Sequence, residues 1–221
     1  MPEAEDSLDL TFLSEDYFRA GGRVEFVRFS SRFAALVWLH RSLSRALADR
    51  VGRLRALKAS GRHGDPEYWG HDSQDSFDFS AGEYDLVLDE SFGVLQDATP
   101  MCGGVVILSG TAALESLMTD LLDQPQDGLL HKAGLRRKVA ELSCRWAAYI
   151  DGDTLRGNVD WLAERRNGFA HDLIDGEGPW PRYLAPGRFG TDEVEEAFQR
   201  IGKVASLLQI GWECYLTAQR R

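Results

Sequence analysis

The stretch Asp160-Trp161-Leu162-Ala163-Glu164-Arg165-Arg166-Asn167-Gly168-Phe169-Ala170-His171-Asp172-Leu173 decides how the chain is read. As a helix it carries an apolar stripe at Leu155, Val159, Leu162, Phe169 and Leu173, with one stripe position occupied by Arg166. A guanidinium on a core-facing stripe needs a partner or a wet cleft, because an unpaired buried charge is too costly. Asn167 and His171 stand four residues apart, so they share a neighbouring face. Arg166, Asn167 and His171 therefore gather at one edge of one helix, the candidate functional centre.

Upstream, Val105 to Leu122 is apolar almost all round, the mark of a central helix. Ser109-Gly110 would let a neighbouring backbone come close. Glu115 is the one charge in the middle of this helix, and a buried carboxylate needs a cation or must keep its proton. Arg166 is the obvious candidate, each being the odd residue on its own apolar stripe. The plainer alternative is that Glu115 reaches the surface at the edge of the helix. The preceding helix, from Ala81 to Ala98, is expected to stop at Pro100, with the central helix starting near Gly103-Gly104.

Between these elements lies a helix predicted over Leu129 to Ile150. Leu130, Val139, Leu142, Trp146 and Tyr149 are placed inside it, and Lys132, Arg136, Arg137 and Lys138 outside. Asp151-Gly152-Asp153 reads as a turn, with Asp153 or Thr154 capping the motif helix. After the motif comes a Pro/Gly-rich loop, 175–190, which carries Trp180, Arg182, Tyr183, Arg188 and Phe189. Aromatics and arginines beside a site can stack on bases, or simply fold back onto the domain. Thr191 is placed as the cap of the last helix, whose first turns are acidic and whose core face runs from Val194 to Tyr215.

At the other end, residues 1–22 read as an acidic, poorly ordered leader ending at Gly21-Gly22. Residues 23–59 hold a segment alternating at period two, Arg23 to Phe29, which suggests either a short strand or the start of the next helix. A long basic amphipathic helix follows, capped by Ser30 or Ser31, with Leu36, Leu39, Leu43 and Leu47 on its apolar face. Arg41 and Arg45 on its polar side can form a basic platform for RNA or a solvated, acid-paired face. Residues 60–80 form an acidic linker in which His63 and His71 match no metal-ligand spacing. Residues 81–221 make the bundle. The fold class is all-α: an antiparallel helical bundle with an additional long N-terminal helix.

Bulk properties bound the function. The 221 residues are 43% hydrophobic and 27% charged, enough for a sizeable core. The net charge of −10 argues against a generic nucleic-acid coat, but the charge is segregated. From Arg32 to Arg62 there are eight basic residues and one acid; from Gly64 to His131 there are fourteen acids and no Lys or Arg. Three scattered cysteines without a C-x-x-C pattern suggest a reducing cytoplasm and no zinc. No run of about 18 apolar residues is present, so no membrane span is expected, and the acidic start lacks the apolar core of a secretion signal. Phosphate-loop, nucleophile-elbow and dinucleotide motifs are missing, and no cofactor is expected.

Arg166-Asn167-Gly168-Phe169-Ala170-His171 resembles the R-x4-H signature of the HEPN superfamily in its Arg-Asn-x-x-x-His form. Ser109 to Leu117, with its Ala-Leu-Glu stretch, resembles the first core helix of ribonuclease-like members. The order of helices agrees, and the likeness covers roughly 105–215. It implies a metal-independent endoribonuclease of toxin–antitoxin or phage-defence type, acting as a homodimer whose two motifs face one cleft. An antitoxin or defence-system protein would be a possible partner. Other members of the superfamily are inactive binding modules. Under this likeness Arg166, Asn167, His171 and Glu115 form the catalytic set. His171 would move the 2′-OH proton and Arg166 would hold the phosphate. Arg41, Arg45, Arg165, Arg182 and Tyr183 are the further candidates for touching RNA.

Overall fold

The computed structural model describes residues 13–62, 81–122, 127–174 and 188–220. Over them the chain is all-α, with five helices and no strand: α1 Val24–Ser60, α2 Ala81–Leu121, α3 Leu135–Arg145, α4 Gly152–Ile174 and α5 Thr191–Gln219. Residues 1–12, most of the acidic linker (63–80) and most of the loop after the motif (175–187) lie outside the described residues.

Side-chain pairings give the directions of the helices. Lys58 meets Asp89 and Arg32 meets Ser116, so α1 and α2 run antiparallel. Glu115 meets Arg166, while Gly104 lies under Phe169, so α2 and α4 are antiparallel too. Arg165 with Glu193 and Asn158 with Arg200 set α4 against α5 in the same sense. Arg136 with Asp160, and Ser143 beside Gly152, do so for α3 and α4. Helix α2 packs against all four others and buries Val106, Ile107, Leu114, Leu117, Met118 and Leu121. Its length and apolarity alone would let it cross a membrane, yet half of its most apolar window is buried in the bundle, as suits a central helix.

Several local expectations give way. Pro100 does not end a helix; it sits inside the 41-residue α2. Proline removes one backbone donor, leaving the carbonyl of the residue four positions back without its helical partner. That residue is Gln96, which is exposed, so water can serve its carbonyl. The period-two segment is the first turns of α1, with Phe26 and Phe29 buried, and no serine caps it. The basic helix thus begins at Val24 rather than at Ser30 or Ser31, and Leu39 is exposed rather than in the core.

The helix expected over 129–150 contracts to Leu135–Arg145 between turns, leaving Tyr149 exposed. Asp151, and neither Asp153 nor Thr154, caps α4: its Oδ1 accepts from the backbone N–H of Asp153 and of Thr154. Hydrogen bonds from Thr154 hold that carboxylate below its usual range. Gly190, not Thr191, precedes α5 as its N-cap. At Gly110 the close neighbour is a side chain rather than the expected backbone: a Cβ there would come within 2.6 Å of Ile201 Cδ1.

The end of the acidic leader is packed. Phe18 is buried against Phe26 and Phe29, and Ser14 Oγ is 3.0 Å from Ser30 Oγ. Tyr17 donates to Glu195 Oε2 at 2.8 Å, and burial with that carboxylate pushes its pKa up to about 12. His40 lies nearby, edge-on to Phe198, and burial lowers its pKa. Glu195 pulls the other way and Arg41 adds to the lowering. The unfolded chain therefore takes this proton first. Stability from neutral His40 is complete above the unfolded value of about 6.5 and is lost as pH falls through and below it. Denaturant midpoints should fall between about pH 7.5 and about pH 5, and fall less in His40→Gln. An equal fall in both proteins would mean His40 contributes nothing to the acid limb.

Candidate functional site

The site is built where α2, α3 and α4 meet. Arg166 Nη1 donates to Glu115 Oε2 at 2.9 Å. The other carboxylate oxygen, Oε1, lies 3.6 Å from Lys138 Nζ. Lys138 in turn donates to Thr119 Oγ1 at 2.7 Å, and Thr119 donates back to the Glu115 carbonyl at 2.8 Å. Glu115 therefore does not simply reach solvent; it takes a cation from each of two helices.

The members differ in exposure. The Lys138 side chain is 3% exposed, that of Glu115 23% and that of Arg166 34%. Lys138 is thus inside, whereas the expected inside–outside pattern of α3 placed it outside with Arg136 and Arg137. Those two are exposed, and Arg136 bridges to Asp160 and Glu164. The misplacement has a physical origin. Lys138, Leu135 and Leu142 fall on one face of α3, and a lysine can lie on such a face when a carboxylate waits opposite.

Asn167 and His171 are both exposed, one helical turn apart towards the C-terminal end of α4. His171 lies about 7.5 Å further along the axis than Arg166, since each residue rises about 1.5 Å. Phe169 between them is fully buried and edge-on to Phe189 at 5.1 Å, so the motif backbone is anchored from its inner side. Phe189 adopts φ 54, a left-handed conformation rare for a bulky residue. Its N–H bond to Glu193 Oε2 and its buried ring hold it there. This matches the reading in which the loop's aromatics fold back, for the one aromatic of that loop among the described residues.

The further RNA candidates are dispersed. Arg165 lies over the Trp161 ring at 4.1 Å and bonds Glu193 at 3.1 Å. Arg200 covers the same ring at 4.7 Å while bonding Glu196 and Asn158. Both guanidiniums lie against the indole, which ties α4 to α5. Arg41 reaches Asp16 and the Tyr17 hydroxyl, each at 3.5 Å. Arg45 is exposed on α1. Arg182 and Tyr183 lie outside the described residues.

A surface cavity of about 580 Å³, lined by Tyr149, Glu213, Cys214, Thr217 and Ala218, involves none of the motif residues. Among the described residues no three His, Cys, Asp or Glu side chains gather as a metal site. The three cysteines are free thiols.

The arrangement offers a fixed cation on a partly exposed guanidinium, braced from behind, with an imidazole and an amide displayed on the same helix. Such a set can hold a phosphate and move a proton. Comparison with known proteins adds no relative: no family model matches this chain, and no curated protein or solved structure matches it significantly.

Proposed function

We propose that the chain is a metal-independent endoribonuclease of the HEPN type, of the kind found in toxin–antitoxin or phage-defence systems. The observation that carries this reading is the braced, partly exposed Arg166, with Asn167 and His171 exposed on the same helix. In the proposed reaction the 2′-oxygen attacks the adjacent phosphorus as an imidazole takes the 2′-OH proton. The bond from phosphorus to the 5′-oxygen breaks, and that oxygen leaves with a proton from a general acid. The products are a 2′,3′-cyclic phosphate and a 5′-hydroxyl. Arg166 stabilises the charge on the phosphate as it builds. One motif supplies one histidine, so base and acid would come from His171 of two copies facing each other.

A second reading is favoured by one specific observation. The Arg166–Glu115–Lys138 network closes within a single chain and joins three helices. A helical module that binds a protein or nucleotide partner, with no chemistry, would need no more than that.

Cleavage of labelled total RNA in EDTA separates the two readings. Wild-type protein is expected to cleave and leave cyclic phosphate ends, while Arg166→Ala, checked for folding, does not, and DNA of the same sequence stays intact. Equal cleavage by both proteins would remove Arg166 from the site. Binding of RNA with no cleavage under any condition would favour the module.

A further inference from the structure

We propose that Lys138 is a positioning residue, the standing counter-ion of Glu115 that lets Arg166 leave its carboxylate for a phosphate. The inference rests on the ribonuclease reading for what Arg166 is released to, and on the geometry for everything else.

Glu115 presents one oxygen to each cation, Oε2 to Arg166 and Oε1 to Lys138. Two cations share one carboxylate, so the trio holds one positive charge in excess. That excess must meet an anion or water, and of the two cations Arg166 is the one with solvent within reach. The Lys138 side chain is 3% exposed and fastened to Thr119 Oγ1, whereas that of Arg166 is 34% exposed. The ammonium therefore stays and the guanidinium is the one that can turn.

The energetics point the same way. If Arg166 were the sole partner of Glu115, every turn towards substrate would strand a carboxylate that is only 23% exposed. Leaving one member of such a pair without its partner costs more than the pair contributes when made. Lys138 removes that cost by remaining in place. The ion pair expected from two odd residues on two apolar stripes is thus one half of a three-member device, and the third member decides whether the first is available.

The test uses full-length protein carrying His171→Ala, so that cleavage does not intervene, and a fluorescein-labelled single-stranded RNA oligonucleotide of mixed sequence. Lys138→Met is expected to weaken binding about tenfold or more, because Arg166 becomes the only cation left to Glu115. Lys138→Arg keeps the charge and keeps most of the affinity. Glu115→Gln combined with Lys138→Met should recover affinity to within about threefold of the parent, since no carboxylate then competes for Arg166. A lysine that only supported packing would not be rescued in this way.

A second arm reads thermal unfolding without RNA. Lys138→Met with Arg166→Gln should lower Tm by more than the sum of the single losses, and adding Glu115→Gln should restore most of it. Unchanged RNA affinity in Lys138→Met, or additive Tm losses that Glu115→Gln does not relieve, would overturn the inference. If the wild type neither binds nor cleaves RNA, the ribonuclease reading falls, and the Tm arm still decides whether Lys138 and Arg166 share Glu115.

Discussion

Under the proposed ribonuclease reading, His171→Ala is expected to lower RNA cleavage by about a thousandfold, within the range that general acid–base groups supply, while Tm moves by no more than about 2 °C. The first half rests on the proposed role of His171 as proton carrier, the second on its exposure. His171 is exposed near the end of α4, so deleting the ring opens no cavity. Its neighbour two positions back, Phe169, is fully buried and keeps the helix in place. Initial rates on labelled RNA and a calorimetric scan of both proteins check the two halves separately. Retained cleavage would exclude His171 as a proton carrier. Loss of cleavage with a large fall in Tm would mean that the ring supports the fold.

Gly103→Ala is expected to destabilise the protein by about 3 kcal/mol, the upper part of the range for overpacking, or roughly 6–12 °C in Tm for a chain of this size. A Cβ at this position would overlap the carbonyl oxygen of Phe189 and come within 3.0 Å of Val194 Cγ2. The first obstacle is backbone, held by Phe189's own buried ring and its N–H bond to Glu193, and cannot move aside cheaply. At Gly104 the overlap is with the Phe169 ring, so Gly104→Ala pushes directly on the motif helix and should reduce cleavage as well as stability. Gly93 is the internal control. It lies on the same helix with nothing within 4 Å of its would-be Cβ, and Gly93→Ala should gain about 0.5–1 kcal/mol from helix propensity alone. Thermal melts of the three variants rank them, and a Gly103→Ala protein as stable as Gly93→Ala would contradict the described packing of α2 on α5.

Much of the fold was legible because its strongest signals are long-period ones. The all-α class follows from 3.6-residue periodicity, and the central place of α2 from apolar residues on every side. The Glu115–Arg166 pair was legible from a rule of exclusion: a lone charge on an apolar face must be answered, and each stripe had one. Lys138 escaped the same rule because it sits beside Arg136 and Arg137, where a basic cluster looks like a solvated face. Pro100 reads as a helix end because the local cost of proline is plain in the sequence, whereas the exposure of Gln96 is visible only in the folded bundle. The packing of Tyr17 and Phe18 could not be read, since their partners Glu195, Phe198 and Phe29 are recognisable only once α1 and α5 are side by side.

Residues 13–21 have a consequence for how the fold is kept. Tyr17 meets Glu195 across 178 positions and the Gly21 N–H meets Gln209 across 188, so this short segment links the first helix to the last without a covalent bond. Contacts so distant in sequence carry a large closure cost, so they are expected to form after the α1–α2 and α3–α4 pairings, which span fewer positions. Contacts absent from the folding transition state scarcely affect how fast a chain folds but govern how fast it comes apart. The segment therefore acts on the lifetime of the native state. Loosening it should shorten the time the five helices stay together and leave their rate of assembly nearly unchanged.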